Sequence, residues 1–156
     1  MTDYDKIETI KNLITELLKR CGFNAVVEFE ESITKGLVFN ISSPDSFLLI
    51  GRQGATLHAL QILVQALAVR GLHSQEPFWF TIDVDDYKRK REWYLKETAK
   101  AAVDKAKMTG RAQALEPMPN YERRLIHAYL QEHCPEVESY SIGNEPYRKV
   151  VIKQTK

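Results

Sequence analysis

Four consecutive residues, Gly51-Arg52-Gln53-Gly54, combine two permissive backbone positions with a fixed positive charge and a neutral hydrogen-bonding amide. Glycines let a foreign backbone come close, and these precede a long apolar stretch, "ATLHALQILVQALAVR", that reads as a helix. Amides at the start of such a helix point outward with the positive end of its dipole behind them, a setting that suits a phosphate. Arg52 brings five donors, and Gln53 adds hydrogen bonding without bulk that would shield the amides. A nucleoside triphosphate fits poorly, because no Lys-Ser/Thr follows Gly54 and the third glycine of a dinucleotide fold is absent. The tetrad suits a sugar-phosphate backbone; its structural alternative is a simple turn between helices.

A second constellation lies in "PMPNYERRLIH", where Arg123 and His127 stand four residues apart. At about 100° per residue, Arg123, Arg124, His127 and Gln131 share an arc of roughly 100°. Tyr121, Leu125, Ala128 and Tyr129 lie opposite, and Ile126 and Leu130 widen the apolar side. The pattern predicts a helix that buries that side and offers a basic, hydrogen-bonding strip; an ordinary solvated face has the same spacing.

Catalysis finds little support. His127, His133, Asp83, Asp85 and Asp86 are not grouped with a nucleophile, and no GxSxG, HExxH or Cys-His spacing occurs. The carboxylates of "DVDD" sit where a strand gives way to a helix and read as caps and solvated groups. Cys21 and Cys134 are far apart and outside any metal spacing, which fits a reduced cytosolic chain in which both serve as small packing residues. A non-enzymatic protein without metal or cofactor is expected.

The elements that must hold these groups follow from periodicity. Apolar residues from Tyr4 to Cys21 (Ile7, Ile10, Leu13, Ile14, Leu17, Leu18 between them) recur at helical spacing, and Gly22 stops the helix. "NAVVEFEES" and "KGLVFNIS" read as an antiparallel strand pair, and "SFLLI" as a helical turn ending at the tetrad. The long helix runs from about Ala55 to Arg70 and is closed by Gly71; "EPFWFTIDVDD" is a strand with Phe78, Phe80, Ile82 and Val84 on one face. A charged helix follows, packing Trp93 or Tyr94, Leu95, Ala99, Ala102, Val103 and Ala106, and ends before Gly110. "RAQALEPMP" holds a short strand, Asn120 is placed to cap a helix through His133, and "VESYSIGNEPYRKVVIK" forms two strands around a turn. The fold class is α+β in two small domains, 1–85 and 86–156.

With 156 residues and a net charge of +1, the whole-molecule field gives no steer toward a charged partner. Basic residues nevertheless outnumber acidic ones between Asp86 and Arg124, so the basic excess is local. The N-terminus is acidic where a secretory signal would be basic, and His58, Gln61 and Gln65 interrupt an apolar run too short to cross a bilayer. A cytoplasmic protein without membrane insertion is expected.

The order helix, strand, strand, "SFLLIGRQG", apolar helix and strand resembles a type II KH domain, whose GXXG loop clamps about four nucleotides of single-stranded nucleic acid. From about residue 86 to 153, the Arg-x-x-x-His motif followed by "SIGNEPYRKVVI" resembles the small α+β domain named for it, R-3-H, associated with single-stranded nucleic acid. "IGRQGATLHALQ", "DVDDYKRKRE", "PMPNYERRLIH" and "GNEPYRKVVI", in that order, resemble the bacterial Jag family, also called SpoIIIJ-associated or KhpB/EloR proteins. The resemblance implies an RNA-binding regulator of growth or envelope processes that holds single-stranded RNA, with single-stranded DNA as the alternative ligand. It implies Gly51, Arg52, Gln53 and Gly54 at the phosphate backbone and Arg123 and His127 at a second surface; Arg124 and Arg148 are added from charge and proximity. The chain departs from the fuller family pattern in beginning with the KH helix rather than a Jag domain, and in His58, where an acid is expected. A homodimer or a separate KH-domain partner meeting the apolar helix is the assembly alternative, with the chain then acting as an adaptor.

Overall fold

The computed structural model describes residues 2–32, 36–72 and 78–155 and divides the chain into two compact units, Met1–Lys88 and Arg89–Lys156. In the first unit, α1 (Asp3–Arg20) begins with Thr2, whose hydroxyl accepts the Asp5 N–H while the Asp5 carboxylate accepts from Thr2 in return. Its core stripe is Ile7, Ile10, Ile14 and Leu18. The stripe ends short of both expected limits: Tyr4 is exposed, and Cys21 is the exposed C-cap rather than a packing residue, because the chain has already turned away. Gly22 takes φ +87° and donates to Lys19 O, while Phe23 donates to Leu18 O, closing the helix with a Schellman pair of bonds.

Strands β1 (Val26–Ser32) and β2 (Gly36–Ser42) pair antiparallel, and β3 (Thr81–Val84) lies parallel to β2, giving the order β1-β2-β3. The third strand is shorter than "EPFWFTIDVDD" suggested: Phe78 to Phe80 are not strand, and residues 76 and 77 lie outside the described residues. Phe39, Ile41, Ile82 and Val84 meet α1 and α3 in the core. Between β2 and β3 come α2 (Ser46–Ile50), a tight turn at Arg52–Gly54 and α3 (Ala55–Gly71). The helix-strand-strand-helix-helix-strand order is that expected for the first unit. Ser46–Gly71 is apolar enough in composition for a membrane span, but the turn at Gly51–Gly54 interrupts it and leaves α3 at 17 residues.

Helix α3 presents an unexpected face to the sheet. Leu57, Val64 and Ala68 are buried, but the polar Gln61 and Gln65 also turn inward along the free edge of β3. Gln61 donates to Phe80 O at 3.0 Å and accepts from Ile82 N–H at 2.7 Å, so its amide stands in for a neighbouring strand. Ile62, Leu63 and Val69 are left exposed. Gly71 remains helical, and Leu72 is the C-cap.

The second unit takes up α4 (Tyr87–Thr109) from Arg89 onward, its first two residues belonging to the first unit, and adds β4 (Gln113–Ala114), α5 (Asn120–His133), β5 (Val137–Ile142) and β6 (Lys149–Gln154), with β6 central and both neighbours antiparallel. Leu95, Ala99 and Val103 of α4 pack with Ile126, Leu130, Val150 and Ile152. Trp93 and Tyr94 are both exposed, contrary to the expectation that one of them joins this core. Asp83 does cap the start of α4, its Oδ1 accepting the Lys88 N–H at 3.2 Å.

Candidate nucleic-acid interface

The tetrad is a turn of unusual backbone. Gly51 has φ +70°, Gln53 φ +52° and Gly54 φ +80°, so the chain reverses between α2 and α3 in a conformation that L-residues rarely adopt. Both glycines are also sterically required: a β-carbon on Gly51 would run into the Thr56 side chain, and one on Gly54 would approach the Tyr87 ring to 2.8 Å. Gly51 donates to Phe47 O and Gly54 to Gly51 O, which tightens the turn against both helices. Arg52 stands exposed at its tip, with no hydrogen bond or ion pair to the described residues, and Gln53 is partly covered. The turn therefore places an exposed guanidinium two residues before the N-cap of α3.

The second surface is built differently from its expected form. Asn120 is the first residue of α5 and Pro119 its N-cap, because the Asn120 amide oxygen faces Arg123 instead of capping. Glu122, Arg123, Ile126 and Leu130 form the buried face, while Tyr121 and Ala128 are exposed. Arg123 is thus a correction: it is 5% exposed and lies inward. Its fork donates to Met118 O at 2.7 Å and pairs with Glu145 at 2.6 Å, tying the start of α5 to the turn before β6. Burial of an arginine is tolerated here because its donors meet oxygens of both kinds.

His127 sits one helical turn on, with Nδ1 2.7 Å from Ser139 Oγ and Nε2 2.9 Å from Ser141 Oγ. Burial first, and the Arg123 charge second, hold its pKa below the ordinary 6.5. The ring also lines an open groove with Gln131, Pro135, Val137, Ser139 and Tyr140. Arg148 donates to Gly143 O at 2.9 Å and reaches Ser141 O at 3.5 Å, bracing the same turn. Arg124 is exposed and makes no hydrogen bond or ion pair with the described residues. The Arg-x-x-x-His motif therefore fastens two elements to α5, and Arg124 carries the outward charge beside it.

The sequence reading missed Glu122, which is 1% exposed and receives Arg91 through both oxygens at 2.8 and 2.9 Å. It also missed Ser139 and Ser141 as the partners of His127. Their period-two spacing in "VESYSI" was the available signal, since it places both on one strand face. Among the aromatics, Trp93, Tyr121 and Tyr147 are exposed, and Tyr87 is packed against the tetrad. No group of three or more potential metal ligands gathers among the described residues.

Comparison with known proteins adds two findings. The R-3-H domain family matches residues 94–154. The chain is 36% identical over 152 residues to the RNA-binding protein KhpB of Clostridium symbiosum, covering 93% of this chain and 66% of that protein. It is 32% identical over 149 residues to the RNA-binding protein KhpB of Bacillus subtilis (95% and 70%), and 31% identical over 146 residues to that of Lactiplantibacillus plantarum (94% and 44%). The chain spans between 44% and 70% of the length of these relatives.

Proposed function

This chain belongs to the family of the proteins named RNA-binding protein KhpB, and from that premise we propose that it is a cytoplasmic, non-enzymatic binder of single-stranded RNA that needs no cofactor. The Gly51–Gly54 turn holds the sugar-phosphate backbone in the manner of a type II KH domain, and Arg52 neutralises a phosphate there. The surface around His127 and Arg124 adds a second contact, with Arg123 and Arg148 positioning it from below. The observation that carries this reading is the turn itself, whose positive-φ glycines lie immediately before α3 and whose exposed arginine has no partner among the described residues.

The test is an anisotropy titration of labelled single-stranded RNA at low and physiological salt, with the wild type and the Arg52→Asp/Gln53→Asp double variant. Aspartate tolerates the left-handed conformation of position 53 better than most residues, so the loop keeps its shape while its charge reverses. Salt-sensitive binding by the wild type, weakened about tenfold or more in the folded variant, is the expected result. Equal affinity of the two proteins would remove the loop from the mechanism.

A second reading has its own observation. Ile62, Val69 and Trp79 border an apolar recess beside Gln61 and Gln65, and its described lining holds no charged side chain. This face favours assembly with a second copy or another KH fold, the chain then acting as an adaptor. A mass that rises with concentration, together with absent RNA binding, would favour it over the first reading.

A further inference from the structure

Trp93 has no work to do in the core. It lies about 200° around α4 from Leu95, the first buried residue of that helix, and 66% of it is exposed. One turn back on the same face are Arg89 and Lys90, at four and three residues' distance. Together with Tyr94 these side chains line an open recess whose surface is almost wholly apolar, bordered by two cations. Tyr94 is less available, since the Arg91 guanidinium stands 5.4 Å from its ring centroid. The indole of Trp93 is left as a flat apolar surface with positive charge at one edge.

We propose that Trp93 is a nucleobase-stacking platform, and that Arg89 and Lys90 attract the phosphates flanking the stacked base. This rests on the RNA-binding reading above and adds a site to it on α4. The charge pattern selects the occupant. An apolar protein segment would fit the recess by Trp79, which has no cation in its described lining, better than one edged by arginine and lysine. A base offers a π-face to the indole, and its own backbone brings the anions. Trp93 also suits the role better than the other exposed rings: the Tyr121 hydroxyl lies 3.5 Å from the Glu122 carboxylate, and Tyr147 shares its turn with Glu145.

The protein has two tryptophans, so a Trp79→Phe background leaves Trp93 as the single indole. Titration of that protein with oligouridylate is expected to quench its fluorescence along the curve that anisotropy follows. Trp93→Ala in the full chain should weaken binding between about fivefold and about a hundredfold, leave the salt slope unchanged, and be largely rescued by Trp93→Phe. An abasic oligonucleotide of the same length should bind Trp93→Ala and wild type alike. If the wild type binds oligouridylate in a salt-dependent way, yet Trp93→Ala binds as well and the indole is not quenched, the stacking site is overturned while the loop mechanism stands. If the wild type does not bind at all, both fall together. Loss of affinity on the abasic strand as well would show Trp93 to be structural and would also overturn the proposal.

Discussion

The ring of Tyr87 occupies the space that a side chain on Gly54 would need, its Cε1 lying 2.8 Å from the position of that β-carbon. Gly54 also holds φ +80°, so two separate costs fall on any replacement. Gly54→Ala should lower the stability of the first unit by about 2–4 kcal/mol, combining left-handed strain with overpacking. Gly22→Ala is the control: it shares a positive φ, +87°, but meets nothing within 4 Å, and should cost only about 1–2 kcal/mol. Urea unfolding of the two variants measures the difference. Equal midpoints would mean that Tyr87 does not buttress the turn.

Gln61 makes a second prediction on the same unit. Its amide supplies the β3 edge with one donor and one acceptor, to Phe80 O and from Ile82 N–H. Gln61→Leu fills similar volume and leaves both backbone groups without that partner, at a cost of about 1–3 kcal/mol. Amide exchange at Ile82 should accelerate along with the loss in stability. Unchanged exchange there would show that the edge is held by other means.

These two cases mark how far the sequence could be read. The turn was legible because glycine spacing reports backbone conformation directly, and the element order was legible because apolar periodicity reports helix and strand. The inward direction of Gln61 was not, since a glutamine among apolar residues reads as solvent-facing until a bare strand edge is known to lie beside it. Arg123 failed for the same reason. Its helical phase fitted an outer strip as well as an inner one, and only Met118 O and Glu145, the latter 22 residues away in the chain, decide between them. Glu122 and Arg91 are separated by 31 residues, beyond any local pattern. The family resemblance located the motif but carried no information on which side of the helix was covered.

His127 gives stability a pH dependence of defined sign. Burial and the Arg123 charge hold its folded pKa below 6.5, whereas the unfolded ring titrates near that ordinary value. As pH falls below 6.5 the unfolded state takes up its proton first, so the contribution present above that pH is lost as pH drops through the folded value. The urea midpoint should decline as pH is lowered through and below 6.5, and decline less in His127→Gln. Nuclear magnetic resonance titration of the ring Cε1 proton reads the folded value directly. A pKa at or above 6.5 would contradict the half-buried, serine-paired ring.

Arg123 and Arg124 are neighbours in sequence with opposite orientations, and they should separate cleanly in experiment. Arg123→Ala leaves Met118 O and Glu145 without their donor and should destabilise the second unit by about 1–3 kcal/mol. Arg123→Lys should not restore it, since an ammonium lacks the planar fork that spans both oxygens. Any loss of RNA affinity in these variants then comes through the turn that Glu145 and Arg148 shape, with the salt slope preserved. Arg124→Ala should do the reverse, leaving the urea midpoint in place and reducing the salt slope by about 0.7 for a lost phosphate contact. A flatter slope in Arg123→Ala at unchanged stability would make Arg123 the phosphate ligand and require its side chain to leave the buried face on binding.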